Sequence, residues 1–246
     1  STLFPYTTLF RSGRRPPAQR DLLAQFTAMD WDAILTTNYT FEIEKALQPS
    51  FSCRNHGWGP YCFCTRERDR EEILFALHQY YECGTTECRQ RIWHIHGDLT
   101  QPDSMILGHY YYGNAISRLH DYMQRFHERW RVAYRQSRVF RPLSWMDYFM
   151  LGDVSIVGLG MDFSESDLWW LVSAKKMFGQ GTIHLHYATD EQFKSSEGER
   201  EVYLRKTLAK KLLCETYGIA YDPVSLTVHD YHAYYCTRRP DRKSVV

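Results

Sequence analysis

Short β-prone runs alternate with longer stretches of helical period along this chain, and that alternation restricts it to few architectures. Residues 32–37, 92–95, 154–157 and 182–187 read as strands, and 219–221 as a short last one. Residues 21–29, 41–47, 69–81, 116–134, 144–151 and 199–217 read as helices, with one more opened by Ser164. The clearest is 116–134, where Ile116, Leu119, Met123, Phe126, Trp130 and Ala133 recur at spacings of three and four, predicting one buried face. In 199–217, Leu204, Leu208 and Leu212 share a face, and Gly218 suits the C-terminal cap. Ser144 is the expected cap of the helix ending at 151, and Trp169 and Trp170 are expected in the core. Such an order predicts an α/β fold, a Rossmann-like, mostly parallel sheet with helices on both faces. Strands 33–37, 92–96, 154–158 and 182–187 are expected side by side in one layer.

Composition narrows the partners. The 246 residues are 43% hydrophobic and 24% charged, enough for a sizeable core, and the formal net charge is +1. A balance so near zero argues against direct nucleic-acid binding and against a polybasic membrane anchor. No apolar run approaches the roughly 20 residues that span a bilayer. Seven cysteines, an odd number without a secretory signal, point to a reduced, cytoplasmic setting.

The ends read differently from the middle. Residues 1–12 (STLFPYTTLFRS) resemble the translated read-through of a sequencing adapter, and 242–246 look similar in origin. Such segments are set aside from fold reasoning and are expected to make few core contacts, consistent with a metagenomic fragment. A single domain is then expected over 13–241, with a Cys- and aromatic-rich insertion near 51–90.

Ligands of such sheets bind beyond the C-terminal ends of the strands, and three predicted strand ends carry polar chemistry. Thr36-Thr37-Asn38-Tyr39-Thr40 follows the first strand; Asn38 either supports a turn or offers an amide to a ligand. His94-Ile95-His96-Gly97-Asp98 ends the second, with His94 and His96 on one strand face; each is a structural histidine or a proton acceptor. Gly158-Leu159-Gly160 leads towards Ser164, an expected N-cap, with Asp167 at the third helical position, close to a capping box. That start is either a tight turn or a phosphate-binding helix end. The aromatic run Tyr110-Tyr111-Tyr112 either packs at a helix entry or stacks on a ring.

In this order the three segments resemble the sirtuin-like domain of bacterial NAD-consuming, anti-phage proteins, over roughly residues 32–221. The resemblance implies NAD as substrate, held by Thr37, Tyr39, Thr40, Gly97, Gly158, Gly160, Ser164 and Asp167. It implies catalysis by Asn38 and His96, with hydrolysis of the nicotinamide–ribose bond to ADP-ribose and nicotinamide. Among partners it admits a homo-oligomer or a fused or associated sensor domain. The chain departs from the family at Thr40, where many relatives carry an aspartate that positions the ribose. Glu42 or Glu44 is a candidate substitute, the alternative for Glu44 being a solvated helix position. The family's opening strand and Gly-rich turn have no counterpart before Asp32, which predicts truncation and an exposed sheet edge or gap.

The cysteines do not match a zinc module. Cys62 and Cys64, then Cys83 and Cys88, lack the paired Cys-x-x-Cys spacing of sirtuin-type deacetylases and precede the His-Gly motif, so no metal is expected. Two other functions remain in view: a non-catalytic NAD or ADP-ribose sensor, favoured by Thr40, and an NAD-dependent protein deacylase.

Overall fold

The computed structural model describes residues 24–25, 29, 31–48, 62–63, 77–84, 89–157, 159, 161, 165–189 and 196–225. The adapter-like ends, the predicted helix at 21–29 apart from its helical Ala24 and Gln25, and most of the 51–90 insertion lie outside these residues.

The chain is a mixed α/β fold. Strand β1 (Ile34–Thr36) leads into helix α1 (Glu42–Leu47), followed by β2 (Cys62–Phe63), β3 (Tyr80–Gly84) and β4 (Arg89–His94). Helices α2 (His109–Arg135) and α3 (Trp145–Leu151) come next. The chain then alternates strictly: β5 (Val154–Val157), α4 (Ser166–Phe178), β6 (Ile183–Thr189), α5 (Glu197–Tyr217) and β7 (Ile219–Ser225).

Strands β5, β6 and β7 pair in parallel in that order, as expected of strands joined by helical crossovers. Strand β1 pairs in parallel with β4, placing Thr36 beside His94. The expectation of one layer needs correction, because the described residues form two sheets, β1-β4-β3-β2 and β5-β6-β7. Strands β2 and β3 come from the Cys- and aromatic-rich segment, β3 pairing antiparallel with the far edge of β4 and β2 antiparallel with β3. Residues 80–81, read above as the end of a helix, are therefore strand. Among the described residues, β1 and β5 each have a strand partner on one side only.

Side chains join the two sheets where backbone pairing does not. One apolar cluster contains Trp93 from the first sheet, Ile95 just beyond its strand, and Ile183, Leu185 and Ile219 from the second. It also contains Leu119, Met123 and Phe126 of α2, Trp145 and Met150 of α3, and Leu171 of α4. The i, i+4, i+7 face predicted for α2 is thus the buried one. Trp169 and Trp170 pack against the same core. Ser144 caps α3 in a full capping box with Asp147, whose carboxylate also receives Arg129 (2.5 Å) and Tyr122 (3.0 Å). Gly218 ends α5 in the left-handed region (φ 76°), as its position required. No helix among the described residues is long and apolar enough to cross a membrane.

Candidate functional site

The loop after β1 and the end of β4 run side by side beyond their paired strands. The carbonyl of Thr36 accepts from the amide of Ile95 (3.0 Å), and that of Tyr39 accepts from Leu99 (3.1 Å). Asn38 and His96 thus occupy equivalent places, each two residues beyond a partner of the Thr36–His94 pair. Thr37, Asn38, Tyr39 and Thr40 are all half-buried.

The backbone of Asn38 is held at both ends. Its amide donates to Thr36 Oγ1 (3.1 Å), and its carbonyl accepts from His94 Nδ1 (2.7 Å). No described residue bonds its carboxamide. Tyr39 reaches across, donating its hydroxyl to the carbonyl of Ile106 (2.8 Å).

His96 is 3% exposed and its Nε2 lies 2.9 Å from Asp167 Oδ2. A carboxylate only accepts, so Nε2 carries a proton; of the two neutral tautomers, the contact selects the one with its lone pair on Nδ1. Among the described residues Nδ1 of His96 has no hydrogen-bond partner. His94 differs: its Nε2 lies 2.7 Å from Glu44 Oε1, so both of its ring nitrogens are engaged. Burial by itself would lower the basicity of His94. The hydrogen bond and charge of Glu44 outweigh it, with the Asn38 carbonyl and Asp98 adding to them, and hold its pKa above the ordinary value.

Gly97 makes the turn that presents His96. Its φ is +83°, and a Cβ there would lie 2.2 Å from the carbonyl oxygen of Ser104. The next residue, Asp98, locks the turn. Its carboxylate receives Tyr81 Oη (2.9 Å), the amide of Thr100 (2.8 Å) and the Thr100 hydroxyl.

The third element is the start of α4. Its N-cap is Glu165, without a side-chain capping bond, which puts Asp167 at the second helical position rather than the third; Ser164, the other half of the expected capping box, lies outside the described residues. Asp167 turns its carboxylate to His96 rather than to the helix backbone, and its buried Oδ1 has no partner among the described residues. Glu165 and Asp167 put negative charge at the positive end of the helix dipole, the place a phosphate would otherwise favour. Gly158, Gly160 and Ser164, the other predicted contacts of this motif, lie outside the described residues.

Two residues join this group, Tyr112 from the aromatic run already noted and Glu165, which no sequence reading named. The ring of Tyr112, in the first turn of α2, lies 5.7 Å from that of His96. Burial raises the pKa of Tyr112, with the charges of Asp167 and Glu165 adding to it. Burial also raises that of Tyr39, again with Asp167 and Glu165 adding. Both phenols therefore stay protonated. The signal for Tyr112 was the aromatic run 110–112, whose other members are surface residues, Tyr110 being 75% exposed. Glu165 carried no signal beyond its charge.

Glu44 is a second departure from expectation. It is 0% exposed and paired with His94, so it is not a solvated helix residue. Of the cysteines considered for metal, Cys83 is buried in a small cluster with Phe41, Tyr81 and Ile92. Cys62 pairs through its backbone with Tyr81, and Cys64 and Cys88 lie outside the described residues.

Comparison with known proteins adds one match. The profile of the SIR2-like domain family matches residues 32–213, which includes both strand ends and the start of α4. Neither the curated proteins nor the solved structures yield a match.

Proposed function

The chain belongs to the SIR2-like domain family, a family of NAD-utilising domains, and from that premise we propose that it hydrolyses NAD at the nicotinamide–ribose bond. The observation that carries this reading is the buried His96–Asp167 pair beside the Asn38 loop. It supplies an imidazole held in one tautomer by a carboxylate, with an Nδ1 that no described residue bonds, on the strand end that runs beside the loop of Asn38. That is the equipment for activating water against a sugar carbon.

In the proposed reaction the carboxamide of Asn38 holds the nicotinamide ribose and the attacking water. The C1′–N bond breaks with its electron pair going to nicotinamide, which leaves neutral, and the ribosyl cation adds water. His96 Nδ1 takes the proton that the water loses, and Asp167 stabilises the resulting imidazolium. The carboxylates of Asp167 and Glu165 suit the positive charge on the ribose better than they suit a pyrophosphate. The reading therefore puts the ribose end of NAD nearest the start of α4. Thr37, Tyr39, Thr40 and Gly97 line the same end. Gly158, Gly160 and Ser164 enter the reading as sequence motif alone. No metal takes part in the scheme. The setting we propose is a cytoplasmic bacterial anti-phage system, acting as an oligomer or with an attached sensor domain.

Nicotinamide release from NAD by the purified chain tests the reading. Asn38→Ala and His96→Ala should each abolish release and leave the thermal melt in place. Wild-type turnover in either variant would end this mechanism. Thr40, which lacks the carboxylate of many relatives, favours a second reading, a sensor that binds NAD or ADP-ribose without cleaving it. Calorimetric binding with no nicotinamide release would decide for that one.

A further inference from the structure

We propose that the buried Glu44–His94 pair is a positioning device for Asn38, an inference that rests on the reading of Asn38 as the residue that holds the ribose. The geometry runs through three elements. Glu44 comes from α1, His94 from the end of β4 and Asn38 from the loop after β1. The Asn38 carbonyl can only accept, so the 2.7 Å contact requires a proton on His94 Nδ1. The second 2.7 Å contact, from Nε2 to the fully buried Glu44 carboxylate, is satisfied when that nitrogen is protonated too. The result is an imidazolium with one N–H directed at Glu44 and the other at the backbone of Asn38. The rings of Phe41 and Tyr81, with centroids 5.1 and 5.6 Å from that of His94, wall it in and oppose rotation.

Stability alone gives a poor account of the pair. A buried ion pair is frequently matched or exceeded in stability by apolar side chains of similar volume. Here Glu44 also keeps Oε2 buried with no partner among the described residues, a further cost. What the arrangement provides is direction. Asn38 is gripped at its amide by Thr36 and at its carbonyl by His94, which fixes the plane from which its carboxamide projects. Errors of about 1 Å in such placement cost on the order of a hundredfold in rate. His94 is thus a positioning residue acting through Asn38, and Glu44 acts through His94.

Two substitutions separate the halves of the device. In His94→Asn the side-chain amide falls where Nδ1 was, keeping a donor to the Asn38 carbonyl. It is made together with Glu44→Gln so that no lone carboxylate is buried. In His94→Gln the amide falls where Nε2 was, keeping the contact to Glu44 and losing the one to Asn38. The expected result is that His94→Gln lowers kcat for nicotinamide release about tenfold or more, with KM little changed. It should also speed deuterium exchange at residues 36–40. The His94→Asn/Glu44→Gln protein should match wild type in both. Wild-type kcat and exchange in His94→Gln, or equal losses in the two proteins, would overturn the proposal. If wild type releases no nicotinamide, the NAD-cleavage reading fails, and exchange at residues 36–40 still decides this one. Should a variant not fold, ring nitrogen NMR of wild-type His94 decides instead. Two protonated nitrogens support the device, and an unprotonated Nδ1 refutes it.

Discussion

Nε2 of His96 and Oδ2 of Asp167 lie 2.9 Å apart across 71 residues of sequence, and both side chains are almost wholly buried. The contact ties the end of β4 to the first turn of α4, and so ties the first sheet to the second. It also sets the chemistry open to His96. With Asp167 ionised, a proton taken up at Nδ1 creates an imidazolium whose partner is already in place. Asp167→Asn keeps an acceptor oxygen for Nε2 and removes the charge. We expect kcat for nicotinamide release to fall by about 10²–10⁴. The melting temperature should move by only a few degrees. The measurement is steady-state release with a parallel melt, and an unchanged kcat would remove Asp167 from the reaction.

Gly97 is required by its backbone. Gly97→Ala meets a left-handed φ of +83° and a Cβ contact of 2.2 Å with the Ser104 carbonyl oxygen, which is itself backbone and does not move cheaply. The positive φ alone costs about 1–2 kcal/mol in an L-residue. The contact adds to it. For a domain of this size each kcal/mol lowers the melting temperature by about 2–4 °C. A drop of several degrees is expected by scanning fluorimetry. A melt equal to wild type would show that the turn tolerates a side chain.

Much of this was legible beforehand, for reasons that differ by element. Residues 154–157 announce themselves as an apolar, β-branched run, the heart of α2 by apolar period, and the Asn38 and His96 segments by unusual polarity at strand ends. Pairing was harder to read. Strand β3 begins inside the stretch read as a helix at 69–81, and β2 lies in a Cys- and aromatic-rich segment, so nothing local showed that β4 would take an antiparallel neighbour. Periodicity also does not say which face is covered. Leu204, Leu208 and Leu212 share a stripe of α5, yet each is about half exposed. α2 begins seven residues before the predicted start, because Tyr110 and Tyr111 face outward and blur its apolar stripe. The burial of Glu44 was invisible for a related reason: its partner His94 is 50 residues away.

Lys175 offers a test of buried charge remote from the site. It is 3% exposed, and its Nζ donates to the carbonyls of Gly152 (2.7 Å), Met150 (3.4 Å) and Gln180. Burial pulls its pKa down to about 8 from 10.5, with Asp153 opposing in part. Because the folded value is the lower one, the folded protein binds fewer protons than the unfolded chain between these limits. The contribution of Lys175 to stability therefore grows as pH rises from about 8 to 10.5. Urea denaturation of wild type and Lys175→Met at pH 7.5 and pH 10 should show the wild-type advantage larger at the higher pH. The reverse order would mean that the three carbonyls hold the ammonium charged.

His94 has the opposite sign. Its folded pKa stands above the ordinary 6.5, set against burial by Glu44 of α1, the Asn38 carbonyl and Asp98, with the neutral phenol of Tyr81 on the β3 side. A histidine whose pKa is raised by folding contributes its stabilisation in full below 6.5 and loses it as pH rises through the folded value. Glu44→Gln removes the charge that sustains the shift while leaving an amide able to hydrogen-bond Nε2. The stability difference between wild type and Glu44→Gln should be largest near pH 6 and shrink steadily above pH 6.5. Subtracting the variant cancels the contribution of Lys175 and every other group distant from the pair. Nicotinamide release should follow the same course if the charged ring orients Asn38, falling at alkaline pH in wild type with a higher apparent pKa than in the variant. Paired denaturation curves from pH 5.5 to 9 supply the measurement. A difference independent of pH over that range would mean that His94 is neutral in the fold, hydrogen-bonded to a protonated Glu44.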